Sequence, residues 1–368
     1  MTREDRHLDL VVIGGGPAGC AAAIAGRRAG LRVTLIERRS PQDASSASAC
    51  SGWASPAAAK MCAQCGVKLS TVGTPFAGLR LRPWDLSRCV AVDDAELNGW
   101  IVDPAVLANA LLEAAGAAGV EVLRPATAAG VSLGETAATV TLEDGRGVTG
   151  RVALIADGAA SRTARAARFP TPAAEGAAAA VAVLAVPESK PGFDVVLGAG
   201  GALRVATVAH GGGPTRVTLL THDTSTPATV QLDAFLEAAR EAQLLPRAAR
   251  GRVEPAPALA GAALDFESHV GKRCLLVGDA GGFVSAFSNE GLYPALRSGW
   301  RAAEVAATAL RAPLLQDELA GFGSLWRSDL AEYLRMPNTD LGLLLPMVFT
   351  NAQMSRRIAR AFFLGQAF

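Results

Sequence analysis

LVVIGGGPAGCAAAIAGRRAGLRVTLIE, residues 10–37, is the stretch of the chain that decides its fold. Leu10–Ile13 is a short apolar run typical of a buried parallel strand, and Arg32–Ile36 is a second such run. Between them a helix is predicted over Pro17–Ala29. The turn before this helix has GxGxxG spacing, which is provided by Gly14, Gly16 and Gly19. The stretch therefore predicts a strand, a glycine turn, a helix and a second strand that ends in an acid.

Each residue of this unit meets a separate requirement of a bound dinucleotide. Gly14 allows the tight turn, Gly16 lets the backbone approach a pyrophosphate, and Gly19 lets the helix pack closely on the sheet. The free N–H groups at the start of the helix then face the phosphates. Glu37, at the end of the second strand, can accept hydrogen bonds from ribose hydroxyls and would repel a 2′-phosphate. The unit predicts a site for an ADP moiety.

The bulk properties predict a globular enzyme. The chain has 368 residues, which suggests about two domains, and its formal net charge of +1 leaves no electrostatic footprint for nucleic acid. Six cysteines in so long a chain, with no secretory leader expected before Leu10, predict a reducing cytoplasm and not a disulfide scaffold. No run of about 18 apolar residues is present, so no transmembrane span is predicted.

Two later segments favour FAD over NAD as the dinucleotide. Arg151–Ala156 and Leu275–Val277 are apolar runs that end in Asp157 and in Gly278-Asp279. Each aspartate would lie at the carboxyl edge of a parallel strand, where α/β sheets bind ligands, and Asp279 can accept a hydrogen bond from a ribityl hydroxyl. A helix predicted over Gly291–Leu310 would direct its positive N-terminus at the N1/C2 edge of a reduced flavin. Together with the end of the strand at Leu10–Ile13, these two strand ends could line one long cofactor.

The motifs GGGPAG, ADGAASR and GDAGGFVSAFSNEGLYPALRSG together resemble the flavoprotein superfamily that includes the aromatic hydroxylases, and most closely its geranylgeranyl reductase-like branch. The resemblance covers most of the first 310 residues. It implies an α/β fold: a Rossmann-like FAD/NAD(P)-binding domain of the GR2 type, an inserted antiparallel substrate sheet and C-terminal helices. It also implies non-covalent FAD. The cofactor-binding residues predicted in this way are Gly14, Gly16, Pro17, Ala18, Gly19, Glu37, Arg38, Asp157, Gly278, Asp279, Gly291 and Leu292.

The chain departs from the branch at three places. Ala286 stands where the branch usually has proline, and Asn289 stands where the first glycine of a GEG triplet usually falls. Both departures lie beside the reactive ring. Many members also carry an arginine near the start of the helix that follows Val102. Pro104 is a good first residue for that helix but cannot supply the arginine's charge.

The cysteines and histidines give one candidate catalytic group. Cys50 begins a Cys-Ser-Gly segment after a small-residue loop at 44–49, and it resembles the segment that passes the flavin in some reductases of the branch. The resemblance implies a proton donor or a shape element, and the alternative is an inert buried thiol. Cys62 and Cys65 form a lone CxxC in a predicted helix and are expected to be core residues. No metal site is predicted. The histidines, expected in turns or at the surface, are His7, His210, His222 and His269.

The order of the elements divides the chain into three parts. Residues 1–70, 100–165 and 267–311 form a discontinuous FAD-binding domain. Residues 71–99 and 166–266 carry short alternating runs, such as Leu203–Val208, and form an antiparallel substrate domain. Residues 312–368 form a C-terminal helical region. Its last helix has a basic face and an apolar face, which suit either peripheral membrane contact or, as favoured here, docking on its own domain. The residues of these two faces are Arg356, Arg357, Arg360, Ile358, Phe362, Phe363 and Leu364.

The favoured function is an FAD-dependent oxidoreductase that transfers a hydride between flavin N5 and an apolar small molecule, for which the resemblance suggests an isoprenoid. One alternative is an FAD-dependent monooxygenase or halogenase, although the WxWxIP segment of halogenases is not in the sequence. A second is a flavoprotein whose FAD is structural or non-redox, as in cyclase-like relatives. The electron donor, NAD(P)H or a redox protein, the substrate and the oligomeric state stay open. A cytoplasmic location is expected, with peripheral membrane contact as an option.

Overall fold

The computed structural model describes residues 8–40, 50–171, 175–186, 190–211 and 213–367. The strands are β1 (Leu8–Ile13), β2 (Val33–Ile36), β3 (Trp53–Ala54), β4 (Gly73–Phe76), β5 (Leu79–Pro83), β6 (Val90–Val92), β7 (Gly99–Val102), β8 (Glu121–Leu123), β9 (Ala128–Leu133), β10 (Ala138–Leu142), β11 (Gly147–Ile155), β12 (Ala178–Ala185), β13 (Gly192–Gly198), β14 (Arg204–His210), β15 (Thr215–Thr221), β16 (Arg250–Ala256), β17 (Val270–Gly271) and β18 (Cys274–Leu276). The helices are α1 (Pro17–Arg28), α2 (Pro56–Gln64), α3 (Pro104–Ala117), α4 (Arg162–Ala166), α5 (Ala228–Glu241), α6 (Leu292–Ala309), α7 (Leu315–Ala320), α8 (Phe322–Leu334), α9 (Leu341–Val348) and α10 (Ala352–Leu364).

The first sheet has a parallel centre. Its strand order is β17-β18-β11-β1-β2-β8, with β10 and β9 continuing from β11 as an antiparallel extension. The register pairs Ile13 of β1 with Ile155 of β11 and with Ile36 of β2, and Ile155 in turn pairs with Leu276 of β18. Because these strands are parallel and in step, the segments that follow them meet along one edge of the sheet. The α/β fold class predicted from the sequence is confirmed.

Two helices lie tightly against each other on one face of this sheet. Helix α1 contacts α6 along its length, and Gly299 of α6 sits against the Ala18 backbone. A Cβ atom at Gly299 would overlap the carbonyl oxygen of Ala18. The glycine is therefore a steric requirement of the close approach, which fixes where the two helices begin relative to the sheet edge.

The second sheet is almost entirely antiparallel. Its order is β16-β12-β15-β14-β13-β5-β6, and β13 with β5 is its one parallel pair. One face packs on α5 through alternating apolar residues, among them Val217 and Leu219 on β15. A third, three-stranded sheet of β3, β7 and β4 contacts both: Ala54 and Val102 pack in the core of the first sheet, and Trp53 and Ile101 pack with β13 of the second. The second sheet thus has one face covered by α5 and the other turned toward the rest of the molecule.

The C-terminal helix buries its apolar face within the protein. Ile358, Phe362 and Phe363 of α10 belong to a buried cluster with Trp53, whose ring stacks on Phe363 at a centroid distance of 4.9 Å. Arg360 Nε donates to Asp94 Oδ2 at 2.9 Å on the outer side. Within the described part of the chain, no helix combines the length and apolarity that a bilayer crossing needs.

His269 lies in the core, so the prediction of a turn or surface position is wrong for this residue. It is 1% exposed and stacks on Phe266, and its Nε2 lies 2.9 Å from the Gly281 carbonyl oxygen. Burial lowers its pKa to about 4, which keeps the imidazole neutral at physiological pH. The spacing of the histidines in the sequence could not reveal that aromatic rings surround His269. His7 lies outside the described residues.

The contact between α1 and α6 is tested by Gly299→Ala. We expect the added methyl group to force the helices apart, with a loss of about 1 to 3 kcal/mol in the free energy of unfolding, as is usual for overpacking. The matched control is Gly116→Ala in α3, where a Cβ meets nothing within 4 Å. Urea unfolding should show the control equal to or more stable than the wild type. Equal stability of Gly299→Ala and the wild type would contradict the close approach.

Candidate functional site

The segments that follow four neighbouring strands are joined by backbone hydrogen bonds. Gly14 N–H donates to the Ile36 carbonyl at 2.8 Å, Ala156 N–H donates to Ile13 at 2.8 Å, and Val277 N–H donates to Ile155 at 3.0 Å. These bonds continue the parallel ladder past the last strand residues. They hold the glycine turn, Asp157 and the Gly278–Gly281 turn side by side. The predicted site residues of three distant sequence regions are therefore brought to one edge.

The glycine turn leaves an open place for an anion. Gly14 has a φ of 101°, which L-residues rarely adopt, and it turns the chain from β1 toward α1. Gly16 is the N-cap of α1, and a Cβ built on it would meet nothing within 4 Å. No side chain caps this helix, and no acidic residue lies in its first turn. The positive end of α1 thus faces free space, which fits a pyrophosphate.

Glu37 is buried at the end of β2 and is tied to the glycine turn. Its Oε2 accepts from Gly15 N–H at 2.6 Å, and its Oε1 accepts from Arg39 N–H at 2.7 Å and from Arg39 Nε at 3.1 Å. A carboxylate has about four acceptor positions, so one is left for a ribose hydroxyl. Arg39 is the cation that sequence reasoning missed, whereas the side chain of Arg38 is exposed. The ribose contact of Glu37 stays a prediction.

Asp157 carries a buried oxygen with no partner. Its Oδ2 accepts from Thr163 Oγ1 at 2.8 Å, whereas its Oδ1 is buried without a hydrogen bond from any described residue. A buried carboxylate oxygen is costly unless it is hydrogen-bonded. The Cα atom of Asp157 lies 2.9 Å from the position that a Cβ at Gly14 would take, so the residue itself lies beside the glycine turn. Its orphaned oxygen fits a hydroxyl donor of a ligand at this edge.

Asp279 lines a cleft. Burial raises the pKa of its carboxyl to about 6, although the side chain is exposed to solvent. A group that is surrounded by protein and still reached by water lies in the wall of a deep opening. Its Oδ1 lies 3.4 Å from the position that a Cβ at Gly291 would take, at the start of α6. The carboxylate accepts no hydrogen bond from the residues that the structure describes, so it is free to bind a polyol chain.

Glu290 is a buried acid at the start of α6 that sequence reasoning missed. It is 1% exposed, and its oxygens accept from Tyr293 N–H at 2.8 Å and from Tyr333 Oη at 2.9 Å. Burial raises its pKa to about 7, an effect that these two hydrogen bonds only partly offset. Tyr333 also bonds to the Ser55 hydroxyl. The sequence did contain a signal for this position, because Glu290 directly precedes Gly291 and the apolar start of α6 at Leu292.

Cys50 lies near three charged groups from different parts of the chain. Its pKa is raised, chiefly by burial, while the charge of Arg216 lowers it and the charges of Glu290 and Asp279 raise it further. The thiol is half-buried. Cys50 therefore lies within electrostatic reach of Asp279 and Glu290, and Arg216 of β15 donates from Nη1 to the Cys50 carbonyl oxygen at 3.5 Å. The loop at 44–49 lies outside the described residues.

The other cysteine pair belongs to the core. Cys62 and Cys65 are buried on and just after α2, and burial raises the pKa of each to about 12. Such thiols are poor nucleophiles at neutral pH because the thiolate is scarce. In the described ranges, no group of three or more His, Cys, Asp or Glu side chains could hold a metal ion.

Two surface depressions lie apart from the sheet edge. One of about 350 Å³ lies between the β13–β14 turn and the start of α9, where Leu203 and Leu341 line it. The other, of about 490 Å³, lies beside the end of α5 and is lined in part by Arg80, Lys190 and Arg247. Neither contains a predicted cofactor residue. The orphaned oxygen, the cleft aspartate and the uncapped helix identify the sheet edge as the stronger candidate.

Comparison with known proteins agrees with this geometry. Residues 9–167 match the family model described as FAD dependent oxidoreductase. No curated protein matches the chain. The fold is shared with a geranylgeranyl bacteriochlorophyll reductase-like protein from Thermoplasma acidophilum at a TM-score of 0.77 and 17% identity, covering 97% of this chain and 96% of that one.

Two further solved structures share the fold at similar distance. The flavin-dependent brominase Bmp2 has a TM-score of 0.70 and 15% identity, covering 96% of this chain and 89% of its own. PqsL of Pseudomonas aeruginosa, solved in complex with 2-aminobenzoylacetate, has a TM-score of 0.67 and 20% identity, covering 96% and 99%. Identities this low show a common fold and leave the reaction open.

The family match covers the glycine turn, Glu37 and Asp157, and the shared fold extends along the whole chain. The uncapped α1, the open place before Gly16 and the orphaned Asp157 oxygen fit the cofactor of that family, so the predicted cofactor, FAD, is confirmed. Residues 9–167 are thus similar to the FAD-dependent oxidoreductases, and the whole chain has the fold of the solved flavoprotein structures named above.

Proposed function

We propose that this protein is a reductase or dehydrogenase that transfers a hydride between flavin N5 and an apolar small molecule. The observation that carries the proposal is the buried Glu290, which shares the space with Cys50 and whose pKa of about 7 allows it to hold or release a proton at neutral pH. Reduction of a carbon–carbon double bond adds a hydride to one carbon and a proton to the next. Bound FAD supplies the hydride chemistry at N5.

The chain's own residues divide the work of binding. The start of α1 and Gly16 would hold the pyrophosphate, Glu37 and Arg39 the adenosine ribose, and Asp279 the ribityl chain. The start of α6 at Gly291 and Leu292 would lie along the isoalloxazine. These assignments support an extended FAD that runs across the carboxyl edge of the first sheet.

Two groups compete for the proton step. The Cys50 thiol faces the space, but its raised pKa makes it a weak acid at pH 7. The Glu290 carboxyl is the better matched acid, and its hydrogen bond to Tyr333 links it to Ser55 in a buried chain. We therefore propose Glu290 as the proton store and Cys50 as a group that shapes the pocket or passes the proton on.

The second sheet supplies the wall for the substrate. Its face away from α5 carries Val181, Val183 and Val195, which supports an apolar substrate, and an isoprenoid is the example suggested by the fold shared with the Thermoplasma protein. NAD(P)H or a redox protein would deliver the electrons. We also propose a cytoplasmic protein; the burial of the apolar face of α10 argues against that face as a membrane anchor.

A flavin monooxygenase or halogenase is the second candidate, because the fold is shared with the brominase Bmp2. Stopped-flow mixing of the reduced holoprotein with oxygen separates the two. We expect slow reoxidation in one phase, without a transient C4a-adduct spectrum. A rapidly formed adduct absorbing between the reduced and oxidised flavin bands would overturn the reductase proposal and favour the monooxygenase.

Because Asp279 and Cys50 have different proposed roles, substituting one should change FAD binding and substituting the other should change the reaction rate. Asp279→Ala should lower FAD occupancy, since a ribityl hydroxyl loses its acceptor, at a cost of about 1 to 3 kcal/mol in binding. Cys50→Ala should keep full occupancy and change the rate at which an apolar substrate, found by screening, reoxidises the flavin. FAD content by absorbance after gel filtration checks both, with the exposed Asp317→Ala as control. Full occupancy in Asp279→Ala would remove its ribityl assignment.

The protonation of Glu290 predicts a pH-dependent stability. Its pKa is raised from 4.5 to about 7 in the folded protein, so its contribution is fully present below pH 4.5 and is lost as the pH rises through about 7. Glu290→Gln removes this dependence. The variant should therefore gain stability relative to the wild type between pH 5 and pH 8, on the order of 3 kcal/mol at most.

Thermal unfolding at the two pH values measures this gain, and the exposed Glu267→Gln serves as control. A difference between Glu290→Gln and the wild type that stays constant with pH would show that Glu290 does not titrate in this range.

A further inference from the structure

Arg216 is a buried cation without a carboxylate partner. It lies on β15, it is 5% exposed, and it forms no ion pair with a described residue. Its one hydrogen bond in the described chain is from Nη1 to the Cys50 carbonyl oxygen at 3.5 Å, the long limit for such a bond. Arg80 and Arg82 of the same sheet, by contrast, both bind the buried Asp194 at 2.7 and 2.8 Å.

The position of the Arg216 side chain is fixed by the Cys50 segment. A Cβ built on Gly52 would lie 2.5 Å from Arg216 Cδ, so the backbone of Gly52 packs directly on the aliphatic stem. The guanidinium is thereby held beside Cys50. Arg216, Glu290 and Asp279 all lie near enough to the Cys50 thiol for their charges to shift its pKa.

Neither of the two nearby acids pairs with Arg216 in the described chain. Glu290 accepts hydrogen bonds from Tyr293 and Tyr333, and neither it nor Asp279 lies within ion-pair distance of Arg216. A buried charge costs several kcal/mol unless it is paired or strongly hydrogen-bonded. One long bond to a carbonyl does not offset that cost. The remaining guanidinium donors have no acceptor in the described chain and are not among its fully buried unpartnered atoms, so they reach open space where a ligand can accept from them.

The surroundings of Arg216 suit an amphipathic ligand. Residues two apart on a strand share a face, so Thr218 lies on the side of Arg216, opposite Val217 and Leu219 that pack on α5. The Thr218 hydroxyl is 2.6 Å from that of Thr207, so the two threonines satisfy each other. Val183 pairs with Arg216 across the strands. Arg252 of β16 pairs with Val183 from the other side and so shares this face, but its side chain is largely exposed and lies 3.6 Å from Glu254. Arg216 is therefore the buried cation among these positions.

We propose that Arg216 binds an anionic group of the substrate, either a carboxylate or a phosphate ester. The anionic end of the substrate would then face the second sheet. The planar guanidinium presents paired donors that match either group. This inference rests on the proposed function in one respect: the ligand occupies the space beside Cys50 where reduction would take place. It narrows the substrate class to apolar molecules with an acidic head.

The test uses the FAD-loaded protein and a pair of probes that are matched in size and shape and differ in charge. Benzoate and the uncharged benzamide are titrated against the flavin absorbance spectrum, with phenyl phosphate as a third probe to separate carboxylate from phosphate. We expect benzoate or phenyl phosphate to bind the wild type at least 10-fold more tightly than benzamide. In Arg216→Met that advantage should disappear while benzamide binding is unchanged, and Arg216→Lys should restore part of it.

A control variant tests whether the loss of any arginine on the second sheet weakens anion binding. Arg252→Met, on the exposed edge strand β16, should leave all three affinities as in the wild type. The inference is overturned if the anions bind the wild type no better than benzamide, a result that needs no variant to fold. It is also overturned if Arg216→Met loses FAD but keeps its anion preference, since Arg216 would then serve the cofactor.

Asp43→Asn addresses an acid that lies outside the described residues. A large gain in anion affinity in this variant would mean that Asp43 is the natural partner of Arg216, which overturns the inference, whereas unchanged affinity supports it. None of these outcomes depends on how the reduced flavin reacts with oxygen. A C4a-adduct would therefore overturn the proposed reductase and leave the anion site standing. Slow reoxidation without any preference for anions would support the reductase and overturn the anion site.

Discussion

The site depends on the register of four parallel strands. Ile13, Ile36, Ile155 and Leu276 end their strands at the same level, and the backbone bonds that continue from them hold the following turns side by side. Residues separated by more than 260 positions in the chain thereby reach one edge. A slip of one residue in any pair would displace its acidic side chain from the edge.

The close contact of α1 and α6 is the second constraint. Both helices begin at the sheet edge, and Gly299 against Ala18 sets their separation. The two starts differ chemically. That of α1 is uncapped and free to face phosphates, whereas that of α6 is occupied by Glu290, which accepts from Tyr293 N–H. One helix start is therefore suited to an anion, and the other holds an acid whose pKa is raised to about 7 by burial.

The space between the two sheets contains more charge than its burial would favour. Asp279, Glu290 and Arg216 are held there by separate elements, and each is either unpaired or only partly satisfied in the described chain. Unsatisfied polar groups of this kind lower stability and are retained where a ligand completes them. We propose that the cofactor completes Asp279 and Asp157, and that Arg216 and Glu290 serve the substrate and its proton.

The sequence alone determined the first βαβ unit, the fold class and FAD, because glycine spacing, apolar runs and a terminal acid are local requirements of a dinucleotide site. It could not reveal that Arg39, and not Arg38, pairs with Glu37, that His269 is buried among aromatic rings, or that Glu290 is a buried acid. Arg216 looked like one more polar residue in an alternating strand. Its lack of a partner depends on which elements pack around it, and that packing is decided by contacts between distant segments that no local pattern encodes.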